Sequence, residues 1–319
     1  MNCLKERDPS LTLAGVISAQ KRLSVSHLIF PVLSSKQASV EAGIGGEEKV
    51  AEIFRRYSFP FNHHIFHDLS PSSDEKFQMD TYFMTPSYGL VLETKNIGGS
   101  LEFRENPPLL IRTKENGQKD GFESPVVQME RDRELLSAWL RSRNIHIPVY
   151  GAVVLAYPKQ IVEVPPRKAK ILFPSSIPAF INSLPQQEKK LDPVVFDWLS
   201  SELLKSHQRF IPKPICETYQ IKFTDIRPGV ICKVCDRIRM MKHRRVWYCP
   251  HCHATDPIAH VRTIQEWFLL FKREITNREC REFLGIEDID TAKRILLNMN
   301  MTWKGAFRYR TYIMDLSKI

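Results

Sequence analysis

Three charged residues lie within apolar, alternating stretches of this 319-residue chain, at positions where a β-sheet normally buries Val or Ile. Asp80 lies in one stretch, and Glu93 and Lys95 lie in the next. Burying charges costs free energy unless they bind something. Residues i and i+2 of a strand point to the same face, so Glu93 and Lys95 are expected to project together, with the Asp80 strand folded back beside them. The pattern predicts a metal-binding carboxylate pair with an ammonium group alongside.

The order of helical and strand-like patterns indicates an α/β domain with a mixed sheet flanked by helices. Strand-like runs are found at 65–69, 78–85, 90–95, 100–103 and 149–156, and helical patterns at 43–57, 126–143 and 193–207. The segment 106–122 is polar and is expected to be irregular. Two prolines within 211–214 indicate a linker. We therefore expect five parts: a lead-in over 1–40, the α/β domain over 41–208, a linker over 209–229, a zinc-binding unit over 230–255 and a helical tail over 256–319.

The net charge of +10 is concentrated in the C-terminal third of the chain. Residues 1–204 contain 24 Lys and Arg against 24 Asp and Glu, whereas residues 205–319 contain 22 against 12. The C-terminal third is therefore the part expected to hold nucleic acid by its phosphates. No stretch reaches the roughly 18–20 continuous apolar residues of a membrane span, and no secretory cleavage site follows the apolar run 11–17. A cytoplasmic protein is the default expectation, and the oligomeric state stays open.

The carboxylates and the lysine have the spacing Asp-x12-Glu-x-Lys, which recurs in restriction-endonuclease-like nucleases. Asp80 and Glu93 would supply oxygens for Mg²⁺ or Mn²⁺, and Lys95 would steer the attacking water and offset charge on the phosphate. Two other interpretations remain open: an exposed ion pair between Glu93 and Lys95, and a glycosidase-like carboxylate pair. The lysine and the basic C-terminal third favour phosphate over sugar.

Short motifs around these residues favour the nuclease-type site over the other two interpretations. Gly43-x-x-Gly46 precedes Glu47 at a helical pattern, the run 89–96 surrounds Glu93 and Lys95, and Pro125 precedes Gln128 by three residues. Together they resemble the nuclease-related domain (NERD) family over roughly residues 40–160. The resemblance implies a restriction-endonuclease-like fold. It also implies the following candidate active-site residues: Glu47, Asp80, Glu93 and Lys95, with Gln78 and Gln128 close by. Ser124 departs from the expected Asn before the proline.

Two other patterns in the sequence lack the residues that a binding site would need. The glycines at 43–46 lack the Gly-Lys-Ser/Thr ending of a phosphate-binding loop. His63, His64 and His67 resemble a metal cluster, but alternation along a strand would send His64 to the opposite face. Nothing near them in the sequence completes a ligand set, so we expect surface or packing histidines.

Four cysteines form two Cys-x-x-Cys pairs, Cys232 with Cys235 and Cys249 with Cys252, separated by 13 residues. This spacing is typical of a structural four-cysteine zinc site and resembles a zinc ribbon. A redox Cys-x-x-Cys would explain one pair but not two, and His251 and His253 are minor rival ligands. Between the pairs lies a basic hairpin with candidate nucleic-acid contacts, including one ring for base stacking: Arg237, Arg239, Lys242, Arg244, Arg245 and Trp247.

The tail shows helical patterns at 257–274, 279–284 and 288–299, followed by an alternating run at 307–314. A capping-box sequence from Thr276 to Glu279 and a glycine at Gly285 separate the helices. This order resembles a winged helix-turn-helix. The sequence as a whole predicts a metal-dependent nuclease of DNA with a zinc ribbon and a basic tail. The alternative is a DNA-binding regulator that keeps the nuclease fold without turnover.

Overall fold

The computed structural model describes residues 2–72, 76–185, 191–306 and 309–318. The chain divides into two compact units, one of Met1–Pro9 with Glu41–Arg209 and the other of Ser10–Val40 with Phe210–Ile319. The predicted mixed α/β class is confirmed. The five-part division stays a prediction, and residues 10–40, expected as a lead-in, belong to the second unit.

The helices and strands are numbered in chain order. The helices are α1 (Leu11–Arg22), α2 (Phe30–Arg56), α3 (Pro125–Arg141), α4 (Ile177–Ser183), α5 (Pro193–Ser206), α6 (Ile215–Thr218), α7 (Ala259–Leu270), α8 (Asn277–Leu284) and α9 (Ile289–Asn298). The strands of the first unit are β1 (Cys3–Lys5), β2 (His64–Leu69), β3 (Met79–Met84), β4 (Gly89–Lys95), β5 (Ser100–Glu105), β6 (Pro108–Thr113), β7 (Lys119–Glu123), β8 (Val149–Leu155), β9 (Ile161–Val164) and β10 (Lys170–Leu172). Those of the second unit are β11 (Val230–Ile231), β12 (Ile238–His243), β13 (Val246–Tyr248), β14 (Thr255–Asp256), β15 (Glu274–Thr276), β16 (Met301–Lys304) and β17 (Thr311–Met314).

A six-stranded mixed sheet in the order β1-β2-β3-β4-β8-β10 forms the centre of the first unit. Strands β2, β3 and β4 are antiparallel, whereas β4 and β8 are parallel. Phe54 of α2 packs with Phe83 and Leu92 on one face, and Leu136 of α3 packs with Val91 on the other. Burial on both faces explains the near-continuous apolar runs of the central strands. The predicted strands 78–85, 90–95 and 149–156 are confirmed as β3, β4 and β8.

A second sheet of the first unit has the order β7-β6-β5-β9. It includes the segment 106–122, which forms β6 and β7, so the expected irregular structure was wrong there. The fully buried residues of this small core are Leu101, Phe103, Leu110 and Leu155. Most positions of β6 and β7 are half-buried or exposed, and a sheet with so little buried surface leaves only a weak apolar pattern in the sequence.

Helix α2 begins at Phe30, well before the pattern predicted from Gly43. The glycines therefore lie inside a long helix. A Cβ on Gly46 would lie 2.8 Å from the Cβ of Asn96 and 3.2 Å from that of Ala156. The Asn96 side-chain amide also donates to the Ala42 carbonyl at 2.8 Å. Glycine thus allows α2 to approach the ends of β4 and β8 closely.

The second unit is built around a large core that contains the buried rings of Trp247, Trp267, Phe268 and Phe283. Its two small sheets have the orders β11-β12-β13-β14 and β15-β17-β16. The predicted capping box at Thr276 is confirmed, and Gly285 ends α8 in the left-handed region at φ +72°. Of the predicted run 307–314, the first two residues lie outside the described part of the chain.

None of the helices in the described part of the chain is long and apolar enough to cross a membrane.

Candidate functional site

Asp80 and Glu93 lie on neighbouring antiparallel strands of the central sheet. The register pairs Thr81 with Leu92, so Asp80 of β3 and Glu93 of β4 are the next residues along the ladder. The backbone N–H of Thr94 donates to Asp80 Oδ2 at 2.8 Å. Lys95 Nζ lies 2.7 Å from Glu93 Oε1. The structure therefore brings the three residues together on the face of the sheet that α3 covers.

Burial governs the electrostatics of this cluster. Only 6% of Glu93 is exposed. Burial, with the nearby Asp80 charge, raises the pKa of Glu93 to about 8, and the Lys95 ammonium opposes this rise. Burial also raises the pKa of Asp80, against the Thr94 N–H and Lys95, which lower it. Additional positive charge near the two carboxylates would favour the ionised form of each.

A third carboxylate, the buried Asp132 on α3, interacts electrostatically with Glu93 and was missed from the sequence. It is 6% exposed, and burial raises its pKa to about 7, with Arg131 lowering it and Asp80 raising it further. Asp132 lies one helical turn after Gln128, between the buried Met129 and Leu136. An acid on the apolar side of a helix was the available signal, but its proximity to Asp80 depends on how α3 packs on the sheet.

Gln128 was expected close to the site, and the structure gives it one unsatisfied atom. Its side-chain amide donates to Glu123 at 3.2 Å, while Oε1 is buried and has no hydrogen-bond partner in the described part of the chain. Because Gln128 and Asp132 are four residues apart on α3, they share a helix face. Thr94 Oγ1 is also buried without a partner among the described residues, but alternation along β4 places it on the opposite face of the sheet from Glu93. Unpaired buried oxygens are rare in folded proteins and call for a ligand or water.

Glu47 is not in direct contact with the Asp80 and Glu93 pair. It lies on α2, which packs on the opposite face of the sheet, and its carboxylate forms an ion pair with Arg7. The charge of Arg7 also lowers the pKa of Asp80. Arg7 therefore connects Glu47 electrostatically to the cluster. No sequence motif pointed to Arg7, which comes from the segment after β1.

Gln78 lies at the edge of the cluster. It is exposed, and its side-chain amide donates to Asp68 Oδ1 at 2.5 Å. Asp68 has a φ of +54° and interrupts the pairing of β2 with β3 opposite Asp80. The charge of Asp68 raises the pKa of Asp80. Gln78 therefore contacts a neighbour of Asp80 instead of Asp80 itself.

The four cysteines of the second unit come together as predicted, in a group able to hold a metal ion. The Sγ atoms of Cys232 and Cys252 are 3.6 Å apart, as are those of Cys235 and Cys249. A disulfide would place sulfurs about 2.05 Å apart, whereas tetrahedral zinc with Zn–S bonds of about 2.3 Å places them about 3.8 Å apart. The observed separations fit zinc.

The two cysteine turns have matching backbone geometry. Asp236 N–H donates to the Cys232 carbonyl and His253 N–H to the Cys249 carbonyl, both at 2.9 Å. Asp236 and His253 have φ values of +53° and +61°. The N–H groups of the second turn lower the pKa of Cys249 to about 6, which favours the thiolate that zinc needs. The group does not include His251 or His253.

The basic hairpin of β12 and β13 carries cations without carboxylate partners. Within the described residues, none of these side chains forms an ion pair: Arg237, Arg239, Lys242, Arg244 and Arg245. Four are exposed and Lys242 is half-buried. A cavity of about 780 Å³ lies between this hairpin and the α8–α9 region, with Arg239, Lys242, Arg244 and Arg294 among its lining residues. Burial and the neighbouring Arg294 lower the pKa of Lys242.

Trp247 does not meet the expectation of a base-stacking ring. Its side chain is 0% exposed, and its Nε1–H donates to His260 Nδ1 at 2.9 Å. Lys242 Nζ lies 5.4 Å from the ring centroid. Trp247 is therefore a core residue of the second unit, because the hairpin turns this ring inward.

A family model of the nuclease-related domain matches residues 42–156. The match covers about a third of the chain and confirms the resemblance that the motifs indicated. It includes α3 and the strands that carry Asp80, Glu93 and Lys95. No curated protein and no solved structure matches the chain. Residues 42–156 are therefore similar to a nuclease-related domain, and the roles of single residues stay predictions.

Proposed function

We propose that this protein is a metal-dependent nuclease that hydrolyses phosphodiester bonds of DNA at the Asp80, Glu93 and Lys95 cluster. The observation that carries the proposal is the half-buried Asp80 and the buried Glu93 on adjacent strands beside Lys95, inside the region that matches a nuclease-related domain. The mixed sheet flanked by helices, with the cluster on two central strands, supports the restriction-endonuclease-like fold that the resemblance implies.

The donor atoms suit a hard divalent cation by type. Asp80, Glu93 and Asp132 offer carboxylate oxygens whose pKa values are raised, and Gln128 Oε1 is a buried amide oxygen without a partner among the described residues. The ligand atoms of the three carboxylates do not all lie within 4.8 Å of one another, so side chains must move to bind one ion together. Oxygen donors are those that Mg²⁺ and Mn²⁺ prefer. When bound, such an ion would polarise the phosphate and lower the pKa of a water molecule. Asp80 and Glu93 are the proposed ligands.

Lys95 is proposed to act on the attacking water and on the phosphate. Its ammonium lies 2.7 Å from Glu93, on the same face of the sheet as the carboxylates. From there it can orient a water molecule and offset the negative charge that develops on the phosphate oxygens. In the same proposal, the pair of Arg7 and Glu47 adjusts the charge around Asp80.

The second unit is proposed to hold the nucleic acid. The four cysteines would bind a structural zinc ion and fix the basic hairpin, whose exposed cations suit phosphate contacts. The order of α7, β15, α8, α9 and the β16–β17 hairpin supports a winged helix-turn-helix arrangement. Exposed Lys293 and Arg294 on α9 are then positioned for DNA contact.

The test is a cleavage assay with labelled single-stranded, duplex and branched DNA in buffers with and without Mg²⁺ or Mn²⁺. Omitting the ion is preferable to adding EDTA, because EDTA would also remove zinc. Asp80→Asn and Glu93→Gln should lower cleavage at least about 100-fold, as loss of a group that stabilises the transition state does. Glu102→Gln is the matched control, since Glu102 is a half-buried strand acid paired with Arg104. Equal cleavage by all four proteins would refute the assignment.

One observation favours a second function, a DNA-binding regulator without turnover. The whole charge excess lies in residues 205–319, which contain 22 Lys and Arg against 12 Asp and Glu. Salt-dependent DNA binding with no cleavage on any substrate, in the presence of either ion, would support this alternative.

A further inference from the structure

Three side chains of different chemistry lie close together in the first unit, near the edge of the central sheet. Cys3 lies on β1, Glu6 follows that strand, and His67 lies on β2. Their ligand atoms all lie within 4.8 Å of one another. No sequence pattern connects the three residues, because 60 or more positions separate His67 from Cys3 and Glu6.

This group is distinct from the candidate nuclease cluster. His67 pairs with Thr81 in the β2–β3 register, and Asp80 is the next residue of β3. Adjacent residues of a strand point to opposite faces, so His67 and Asp80 lie on opposite faces of the sheet. The rings of His67 and Phe54 are in contact, with centroids 6.1 Å apart. Because Phe54 lies on α2, this contact places His67 on the face of the sheet that α2 covers.

The His67 ring is held in a fixed orientation. Its Nδ1 lies 3.0 Å from Thr81 Oγ1, and the side chain is 3% exposed. A hydrogen bond at one ring nitrogen fixes the ring and leaves the other nitrogen for an ion, as is usual for metal-bound histidine. Cys3 is half-buried and Glu6 is exposed, so an ion can reach the group from solvent.

Neighbouring cations already have other partners. Lys5 pairs with Asp8 at 3.0 Å, Arg7 pairs with Glu47, and Arg55 pairs with Glu48. The Glu6 carboxylate has no ion-pair partner in the part of the chain that the structure describes. A thiolate and a carboxylate together would balance the charge of a divalent ion.

We propose that Cys3, Glu6 and His67 bind one Zn²⁺ ion, with water as the fourth ligand. Sulfur, nitrogen and oxygen together form a borderline donor set that suits zinc. Zinc bonds of about 2.0–2.3 Å place ligand atoms about 3.5 Å apart. The group must therefore contract by at most about 1.3 Å, which rotation of the Cys3 and Glu6 side chains can provide. The ion would fasten the three-residue strand β1 to β2, close to the segment that carries Arg7.

The proposal is tested by loading the purified full-length protein with Zn²⁺, dialysing it and measuring its zinc content by mass spectrometry. The zinc ion of the four-cysteine group serves as the internal standard. We expect two zinc ions per chain in the wild type and one in Cys3→Ser and in Glu6→Gln. Cys216→Ser, which changes a cysteine outside both groups, is the matched control and should keep two. Cys3 and Glu6 are not core residues, so both variants should fold.

Cobalt substitution gives a second readout. Co²⁺ bound to thiolate absorbs in the near ultraviolet in proportion to the number of thiolates, so Cys3→Ser should lose about one part in five of that absorbance. A single zinc ion in the wild type would overturn the proposal. Two zinc ions that persist in both Cys3→Ser and Glu6→Gln would overturn it as well.

Discussion

Replacing Glu93 by Gln should change how the stability of the first unit depends on pH. The ordinary pKa of Glu93 is 4.5, and burial beside Asp80 raises it to about 8 in the folded protein. Between these values the folded state keeps a proton that the unfolded state loses. The free energy of unfolding therefore falls as pH rises, by up to about 1.4 kcal/mol per pH unit for this one group.

The size of the effect follows from that window. From pH 5 to pH 8 the loss attributable to Glu93 is of the order of 3–4 kcal/mol. Glutamine keeps the shape of the side chain but cannot ionise. The variant should therefore lose this pH slope and become more stable than the wild type at pH 8, while near pH 5 the two should differ little. Asp132, with its pKa raised to about 7, leaves a smaller slope in both proteins.

The assay is urea unfolding of the full-length protein at several pH values, in buffer with no added divalent ion and no chelator. Trp139 and Trp198 lie in the first unit and report on it by fluorescence when the other tryptophans are replaced by Phe in both proteins. Glu102→Gln should leave the slope unchanged, because pairing with Arg104 lowers the pKa of Glu102. A difference in stability between Glu93→Gln and the wild type that is constant from pH 5 to pH 8 would show that the pKa of Glu93 is not raised in the folded protein.

Four further outcomes follow from the structure. Asp132→Asn should raise the Mg²⁺ concentration needed for half-maximal cleavage about 10-fold, measured by titrating the ion; an unchanged midpoint would remove Asp132 from the site. Gly46→Ala should destabilise the first unit by about 1–3 kcal/mol through overpacking. Gly43→Ala should stabilise it by about 0.5–1 kcal/mol, because no described atom lies within 4 Å of the added Cβ. Urea unfolding measures both effects, and equal effects would contradict the close approach of α2 to β4 and β8. Cys232→Ser should lower the zinc content by one ion per chain and increase hydrogen exchange in β11–β14, and unchanged content would exclude the four-cysteine site. Arg245→Glu should weaken DNA binding and reduce its dependence on salt, measured by fluorescence anisotropy; equal affinity would exclude the hairpin as a contact.

Local patterns were sufficient to predict the central strands and the meeting of Asp80, Glu93 and Lys95. Alternation gives the face of each side chain, and a short turn between antiparallel strands gives the register, so both depend on residues close in the chain. The cysteine pairs were predictable for the same reason, because each tight turn supplies two ligands.

The rest depends on contacts between distant segments. Asp132 and Arg7 reach the cluster only through the packing of α3 and the position of the chain after β1. Strands β6 and β7 have too small an apolar face to produce a recognisable period. Trp247 looked like a stacking ring because it lies among cations in the sequence, yet the hairpin buries it.

Turnover of DNA by the wild type and by Asp80→Asn should be measured side by side in Mg²⁺ with zinc retained, because Asp80 is the proposed metal ligand of the nuclease site. The wild type should give products that require Mg²⁺, and the variant should lose at least about 100-fold in turnover, with unchanged zinc content and DNA affinity. Equal turnover in the two proteins, or no turnover by the wild type on any substrate with either ion, would contradict the proposed nuclease site.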